Sequence, residues 1–503
     1  MTDPHPTAEP TPDTPPETGD LTTGQLRSLA ARGVVLLGSR EILIRIMGFA
    51  GNVVFARLLT PADFGAIALG STILVFGSFL GDAGVGAALI RLPKPPERIL
   101  LQSVLGFQLL ITLLVAAVVA GTAVPFGRTG GVAAVMILSL PPVAFRTPGV
   151  ILFERELAYR PIVAVEIAEN LSYLAWGVTT VAVGWGIWGL ATATVVRAVV
   201  GSALMVRLSP VGLLRPRFSW RRIRHLMGFG VQVQAAMIVN IVRDQGINVA
   251  TAAIASIPTL GIWSLASRIL QVPFLVFNAL WRVSFPAMSR LISAGENPRP
   301  ILERGVGLVA VASGVLFVPL AGAAPTLVPV IFGHRWADVP DVLPWACLGL
   351  MIGGPVSSAT VGYLYAVGDA RTVLRSLVIG MFAWWAVGLP LLPVVGVAAL
   401  GLGWMAGTLA EAAVLLRGTT RRSGARFFGA LVPPLLAASG AGGLAWWFAT
   451  SNRHTLLLGL VAALIGEGAF LVSMVVFRRG ALGDAFGVVR RSFGPTPSEQ
   501  AGL

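Results

Sequence analysis

The chain has 503 residues, of which 55% are hydrophobic and only 12% charged, with a mean hydropathy of +0.80; an average soluble domain carries about 25% charged residues. This excludes an ordinary water-soluble enzyme and points to a polytopic membrane protein, whose crossings each need roughly 20 mostly apolar residues. The formal net charge of +14 would suit nucleic acid, but in a membrane chain the arginine excess belongs in cytoplasmic loops, and no nucleic-acid partner is expected.

Residues 1–30 hold Asp3, Glu9, Asp13, Glu17 and Asp20 among Pro and Thr, with no arginine before Arg27. That is the reverse of a secretory signal and reads as a disordered cytoplasmic tail. Apolar stretches then recur at 31–56, 64–90, 100–126, 130–153, 162–184, 185–208, 228–256, 258–283, 304–332, 342–367, 372–393, 396–416, 427–450 and 455–477. They predict an all-α polytopic membrane protein of about fourteen transmembrane helices, since runs of this length exceed the roughly ten residues of a barrel strand. With the N-terminus inside, alternate connections hold nearly all the arginines, as in Arg207–Arg224 and Arg417–Arg426, while only Arg57, Arg128, Arg335 and Arg453 fall outside. Both termini are therefore expected in the cytoplasm.

Laying Pro61-Ala62-Asp63-Phe64-Gly65 and the residues up to Leu74 on the segment ending at Leu270, with Gly65 on Gly261, also matches Leu69 with Leu265, Ser71 with Ser267, Ile73 with Ile269 and Leu74 with Leu270. The two copies are six helices apart and so share one orientation, as parallel repeats do. The expected layout is an N-terminal six-helix lobe over 31–208 and a C-terminal one over 228–416, around a central cavity. A helix pair follows over 427–477, and then a cytoplasmic tail over 478–503. Between the lobes, residues 209–227 mix Arg215, Arg217, Arg221, Arg222 and Arg224 with Trp220, Ile223, Leu226 and Met227 at helical spacing, a basic amphipathic linker suited to lipid headgroups.

Thirteen charges fall inside the apolar stretches: Arg40, Arg45, Arg146, Arg197, Arg243 and Arg268, with Glu41, Asp82, Glu166, Glu169, Asp244, Glu411 and Glu467. At about 3 kcal/mol each in mid-bilayer, lipid exposure of all of them would cost about 40 kcal/mol, so most must face protein or water. Arg45, Arg197, Arg243 and Arg268 fall near helix midpoints, and Arg40 and Arg146 nearer the cytoplasmic ends. Glu41 precedes Arg45 by four residues, the spacing of a helical ion pair. Arg243 and Asp244 are adjacent and are expected to point apart. If the arginines converge, the cavity suits a diphosphate, because guanidinium offers a planar fork of donors and stays charged. His5, His225, His334 and His454 are scattered and Cys347 is alone, so no metal site or cofactor is expected. Gly77/Gly81, Gly349/Gly353 and Gly403/Gly407 read as small-residue packing faces.

The stretch Phe55-Ala56-Arg57-Leu58-Leu59-Thr60-Pro61-Ala62-Asp63-Phe64-Gly65, with Asp82-Ala83-Gly84-Val85-Gly86 after it, closely resembles bacterial polysaccharide flippases of the Wzx type, in the MOP superfamily with multidrug exporters and lipid-linked murein precursor flippases. Phe285-Pro286-Ala287-Met288-Ser289-Arg290 looks like its second-lobe counterpart. The resemblance implies a non-enzymatic flippase of the bacterial plasma membrane that carries undecaprenyl-diphosphate-linked glycan to the outer leaflet by alternating access. Its partners would be that lipid-linked glycan, membrane lipids and polysaccharide assembly proteins. By position, Arg45, Arg243 and Arg268 inherit the role of meeting the diphosphate head, with Arg40 and Arg146 near the entrance and Arg197 on a helix that need not face the cleft. No nucleotide-binding loop of the Gly-x-x-x-x-Gly-Lys-Ser/Thr kind is present, so energy would come from an ion gradient or the membrane potential. The competing readings are a drug or metabolite antiporter of the same superfamily and a membrane glycosyltransferase, polymerase or ligase.

Overall fold

The computed structural model describes the backbone of residues 23–493. It describes their side chains too, except over 23–39, at 42, at scattered positions between 225 and 287, and over 477–493. Among the described residues there are helices and no strand. In chain order they are α1 (Thr23–Leu58), α2 (Pro61–Asp82), α3 (Val85–Ile90), α4 (Arg98–Thr122), α5 (Gly127–Ile137), α6 (Leu140–Arg155), α7 (Tyr159–Thr180), α8 (Ile187–Leu208), α9 (Trp220–Ile254), α10 (Ile257–Ser293), α11 (Arg299–Gly322), α12 (Ala324–Phe332), α13 (Leu343–Ala366), α14 (Ala370–Val395), α15 (Ala398–Ser423), α16 (Phe428–Ser451) and α17 (Leu456–Phe493).

All fourteen apolar stretches are helical, three of them broken into two α-helices. Ten helical spans among the described residues are long and apolar enough to cross a membrane. The stretches that miss that standard lie on α1, α7, α9 and α10, where most of the intramembrane charge sits. The tail expected over 1–30 falls outside the described residues as far as residue 22, and 23–30 are already the start of α1; likewise 478–493 continue α17, and 494–503 are not described. The linker expected over 209–227 is helical only from Trp220, where α9 begins. Its first half is an irregular strap, tied to α4 by the Arg217 amide donating to the Gln102 carbonyl at 3.0 Å and lying so close that a side chain on Gly106 would meet the Arg217 backbone at 2.3 Å. Proline at 216 and glycine at 212 hold this half out of the helix.

The Asp82-Ala83-Gly84 part of the motif is the break between α2 and α3: Ala83 and Gly84 both take left-handed backbone, at φ 45° and 70°. Such a conformation is costly for a residue with a Cβ and free for glycine, so the chain turns here instead of running one straight helix over 64–90.

Helices α1–α8 form one packed group and α10–α15 another, with α16 and α17 packed on each other and on α11; α9 lies between the groups, against α2, α3 and α4 on one side and α10 and α14 on the other. The two groups meet where α2 crosses α10. A Cβ on Gly65 would lie 1.9 Å from the Ile257 carbonyl oxygen, and a Cβ on Gly261 would lie 1.8 Å from that of Pro61. In the register that sets Gly65 on Gly261, Pro61 falls on Ile257, so the contact is reciprocal. Thr60 and Ser256, the matching N-caps, each accept from the amide three residues on, that of Asp63 and Thr259. The internal repeat is thus a local two-fold contact with bare glycine on both sides.

Candidate functional site

Around this crossing the two groups close at the end whose connections are poor in arginine. Trp336, fully buried, donates its indole N–H to the Ala56 carbonyl at 2.9 Å and packs edge-on against Phe64, ring centroids 4.8 Å apart. Arg57 donates to the Val330 and Ile331 carbonyls at 2.6 and 2.8 Å. Asp63 completes a capping box with Thr60 and pairs with Arg128 at 3.1 Å. Ala56, Arg57 and Phe64 of the motif therefore act in the closure, while Thr60 and Asp63 fix the start of α2 within the first group, and the main hydrophobic core, which contains Phe55, Phe64, Leu260, Trp336 and Leu350, runs across both groups.

Beside this core lies a chamber of about 460 Å³, within the range of ligand sites. Arg146 from α6, Arg197 from α8 and Arg268 from α10 line it, with Asn52 from α1 and Asn170 and Tyr173 from α7. Glu169, 3% exposed, is bonded to Arg146 and stands 3.8 Å from the Arg197 Nε. Glycine at 201 makes room for that carboxylate, since a Cβ there would fall 1.8 Å from its Oε1. Arg268 has no such partner: its guanidinium donates to Asn52 Oδ1 at 2.6 Å and sits 5.6 Å from the Phe64 ring centroid, and it forms no ion pair among the described residues. Arg146 and Arg197, the latter 45% exposed, share one carboxylate and Arg268 touches none, so the three guanidiniums outnumber the carboxylate by two. A buried cation without a counter-ion is costly, and an arriving anion removes that cost.

The remaining predicted site residues lie elsewhere. Arg40 pairs with Glu166 at 2.7 Å. Arg45 pairs with Glu41 at 2.9 Å, as the spacing indicated, and reaches across to the Gln271 carbonyl of α10 at 2.7 Å. Arg243 lines a separate cavity with Glu411. Contrary to expectation it does not point away from Asp244: its Nε donates to Asp244 Oδ1 at 2.8 Å. The error lay in treating side chains as fixed vectors, whereas the long arginine stem curls round the helix to its neighbour. Arg197, placed on a helix that need not face the cleft, lines the chamber instead.

Sequence reasoning missed Asn52, Asn170 and Tyr173. A signal was present: Arg45, Gly48 and Asn52 share one face of α1, and Glu166, Asn170 and Tyr173 one face of α7, at spacings of three and four.

Residues 54–341 match the family described as "Polysaccharide biosynthesis protein". Among characterised proteins, the chain is 27% identical to the succinoglycan biosynthesis transport protein ExoT of Rhizobium meliloti, over 72% of each chain. It is 22% identical to the lipopolysaccharide biosynthesis protein WzxC of Escherichia coli, over 66% of this chain and 70% of that one. Among solved structures, the fold resembles the lipid II flippase MurJ in an inward closed conformation, with a TM-score of 0.72 at 14% identity over 89% of this chain and all of that one. It also resembles an inward-facing multidrug resistance MATE family transporter of the MOP superfamily, with a TM-score of 0.57 at 14% identity over 78% and 98%. With more than half its length matched, the chain belongs to the polysaccharide biosynthesis protein family and is a multi-pass membrane protein with a MurJ- and MATE-like helical fold.

Proposed function

We propose that this protein is a flippase of the bacterial plasma membrane, not an enzyme, and that it carries undecaprenyl-diphosphate-linked glycan from the cytoplasmic to the outer leaflet, with both of its termini on the cytoplasmic side. The observation that carries the reading is the convergence of Arg146, Arg197 and Arg268 on one chamber with a single carboxylate among them. Family membership and the relation to a succinoglycan biosynthesis transport protein and a lipopolysaccharide biosynthesis protein support it. Of the six arginines considered from sequence, the diphosphate role passes to these three, while Arg40 and Arg45 act as struts of α1.

The physics of the step is one of concealment. A diphosphate and its hydroxyl-rich glycan cannot enter hydrocarbon, but the prenyl tail can stay there, so a polar chamber open to lipid along one side suffices. Guanidiniums replace the water lost by the phosphates with charge-assisted hydrogen bonds. The closure at Gly65, Gly261 and Trp336 must then part for release, and no covalent step occurs.

The test is translocation in proteoliposomes loaded with undecaprenyl-diphosphate-linked oligosaccharide. Wild type should move the lipid between leaflets, and Arg268→Ala should not. Undiminished flipping by Arg268→Ala would remove the chamber from the mechanism. Proton-driven dye export without lipid flipping would establish a drug antiporter instead.

A further inference from the structure

A second cavity, of about 170 Å³, is enclosed by α9, α10, α13, α14 and α15. Phe274, Phe277, Trp384 and Trp404 form much of its wall. The Trp384 and Trp404 rings lie 5.0 Å apart, and Trp263 backs them at 5.8 and 5.5 Å. The rings rest on bare backbone: a Cβ on Gly354 would fall 2.3 Å from the Phe277 ring, and one on Gly403 would fall 2.8 Å from Cδ1 of the Trp384 ring. Packing thus fixes the wall and keeps the space open.

This wall is not merely apolar. Trp384 is 6% exposed, yet its indole N–H meets no protein acceptor, and neither does that of Trp404. Buried indole N–H groups ordinarily find one. Glu411 contributes a carboxylate that forms no ion pair among the described residues, and Thr408 and Ser357 contribute hydroxyls. Arg243, already held by Asp244, contributes guanidinium donors.

Clustered, mutually tilted rings with donors and a carboxylate around them match one kind of ligand. A pyranose has a face of C–H groups that lies on an aromatic ring, and a rim of hydroxyls that takes N–H donors and gives to a carboxylate. A purely apolar ligand would leave the indoles and Glu411 unsatisfied. An organic cation would suit the rings and Glu411 but would meet Arg243.

We propose that this cavity is a saccharide subsite, holding one pyranose ring of the glycan while the chamber arginines hold the diphosphate; the proposal rests on the flippase reading above. The two sites share α10, which presents Arg268 to the chamber and Phe274 to the cavity. They are offset by about 9 Å along the axis and about 120° around it, so the sugar units between diphosphate and subsite would have to wind partly round α10.

The experiment uses the full chain in lipid nanodiscs. It compares the affinity for undecaprenyl diphosphate with that for the same lipid carrying a single glucose, galactose or N-acetylglucosamine. Wild type should bind at least one sugar-bearing lipid about tenfold more tightly than the bare lipid, the scale of one stacked ring with a hydrogen bond or two. That ratio should fall towards one in Trp404→Ala and in Glu411→Gln, and Trp404→Phe, which keeps a ring, should restore part of it. No preference for any of the three sugars, or a preference untouched in both variants, overturns the subsite. Wild type that binds neither bare nor sugar-bearing lipid overturns the flippase reading itself. Saturable ethidium binding that is lost in Glu411→Gln, with no sugar preference, marks a cation pocket and also overturns the proposal.

Discussion

A guanidinium held without a carboxylate is stable only while other groups share its charge, and for Arg268 those groups are an amide oxygen and the face of a phenyl ring. Hydrogen bonds to charged groups contribute about 1.5–3 kcal/mol each, so Arg268→Gln should slow flipping by about tenfold to a hundredfold per folded molecule. Arg45→Gln should slow it far less, because Arg45 is already spent on Glu41 and a carbonyl; equal losses in the two variants would contradict the division of roles. A second site tests the reading of charge outside the membrane. The Thr372 hydroxyl and amide both donate to Asp369, and Arg422 lies 2.5 Å from it, which together hold its carboxyl below the usual aspartate range. A depressed folded-state value stabilises the fold above the unfolded aspartate pKa, and that contribution is lost as the pH falls through the folded-state value. Asp369→Asn keeps the cap and loses only the charge, so it should cost about 0.5 kcal/mol at neutral pH, and the gap between the melting curves of wild type and variant should close in acid.

Residue identity was legible in the sequence where it depended on neighbours along one helix, as with Glu41 and Arg45. It was not legible where the partner comes from another helix. Depth alone ranked Arg45 and Arg243 with Arg268, but only the packing of α1, α6, α7 and α8 brings Asn52, Arg146, Glu169 and Arg197 together. The Arg243 and Asp244 pair failed for a different reason, the freedom of a long side chain.

At the scale of elements, the motif that resembles the Wzx-type proteins is a mechanical part. Thr60 and Asp63 fix the start of α2, Gly65 lets it touch α10, and Arg57 and Phe64 reach the α12 end and Trp336. Thr60→Ala removes a capping side chain and should lower stability by about 1 kcal/mol, read by thermal unfolding in detergent. Gly65→Val pushes a side chain into the Ile257 carbonyl and should abolish transport even where the protein still inserts and folds; normal flipping by that variant would show that the closure is not part of the cycle. The repeat behind this contact could be read from the chain because glycine and the caps recur in register. The helix breaks at Ala83 and within α5–α6 could not, since apolar content continues straight through them.

For the whole molecule, the proposed cycle has a chamber that carries two net positive charges when empty and would be near neutral around a diphosphate. An inside-negative potential therefore draws the empty, cationic chamber back toward the cytoplasm, with about 2.3 kcal/mol per charge per 100 mV available if the charge crosses the full field. Flipping into the outer leaflet should accelerate when an inside-negative potassium diffusion potential is imposed on proteoliposomes, and a rate indifferent to the potential would contradict a charged return step. All-helical class, membrane residence and family kinship were legible from composition, apolar period and motif. The orientation of each helix about its own axis, which decides which charges share a cavity, is set by packing between segments far apart in the chain.

The most direct measurement is an electron cryomicroscopy structure of the protein with a bound undecaprenyl-diphosphate-linked oligosaccharide. The expected result places the diphosphate density within hydrogen-bond distance of Arg146, Arg197 and Arg268. Density settled instead on Arg40 and Arg45, or on Arg243, with the chamber empty, would contradict it.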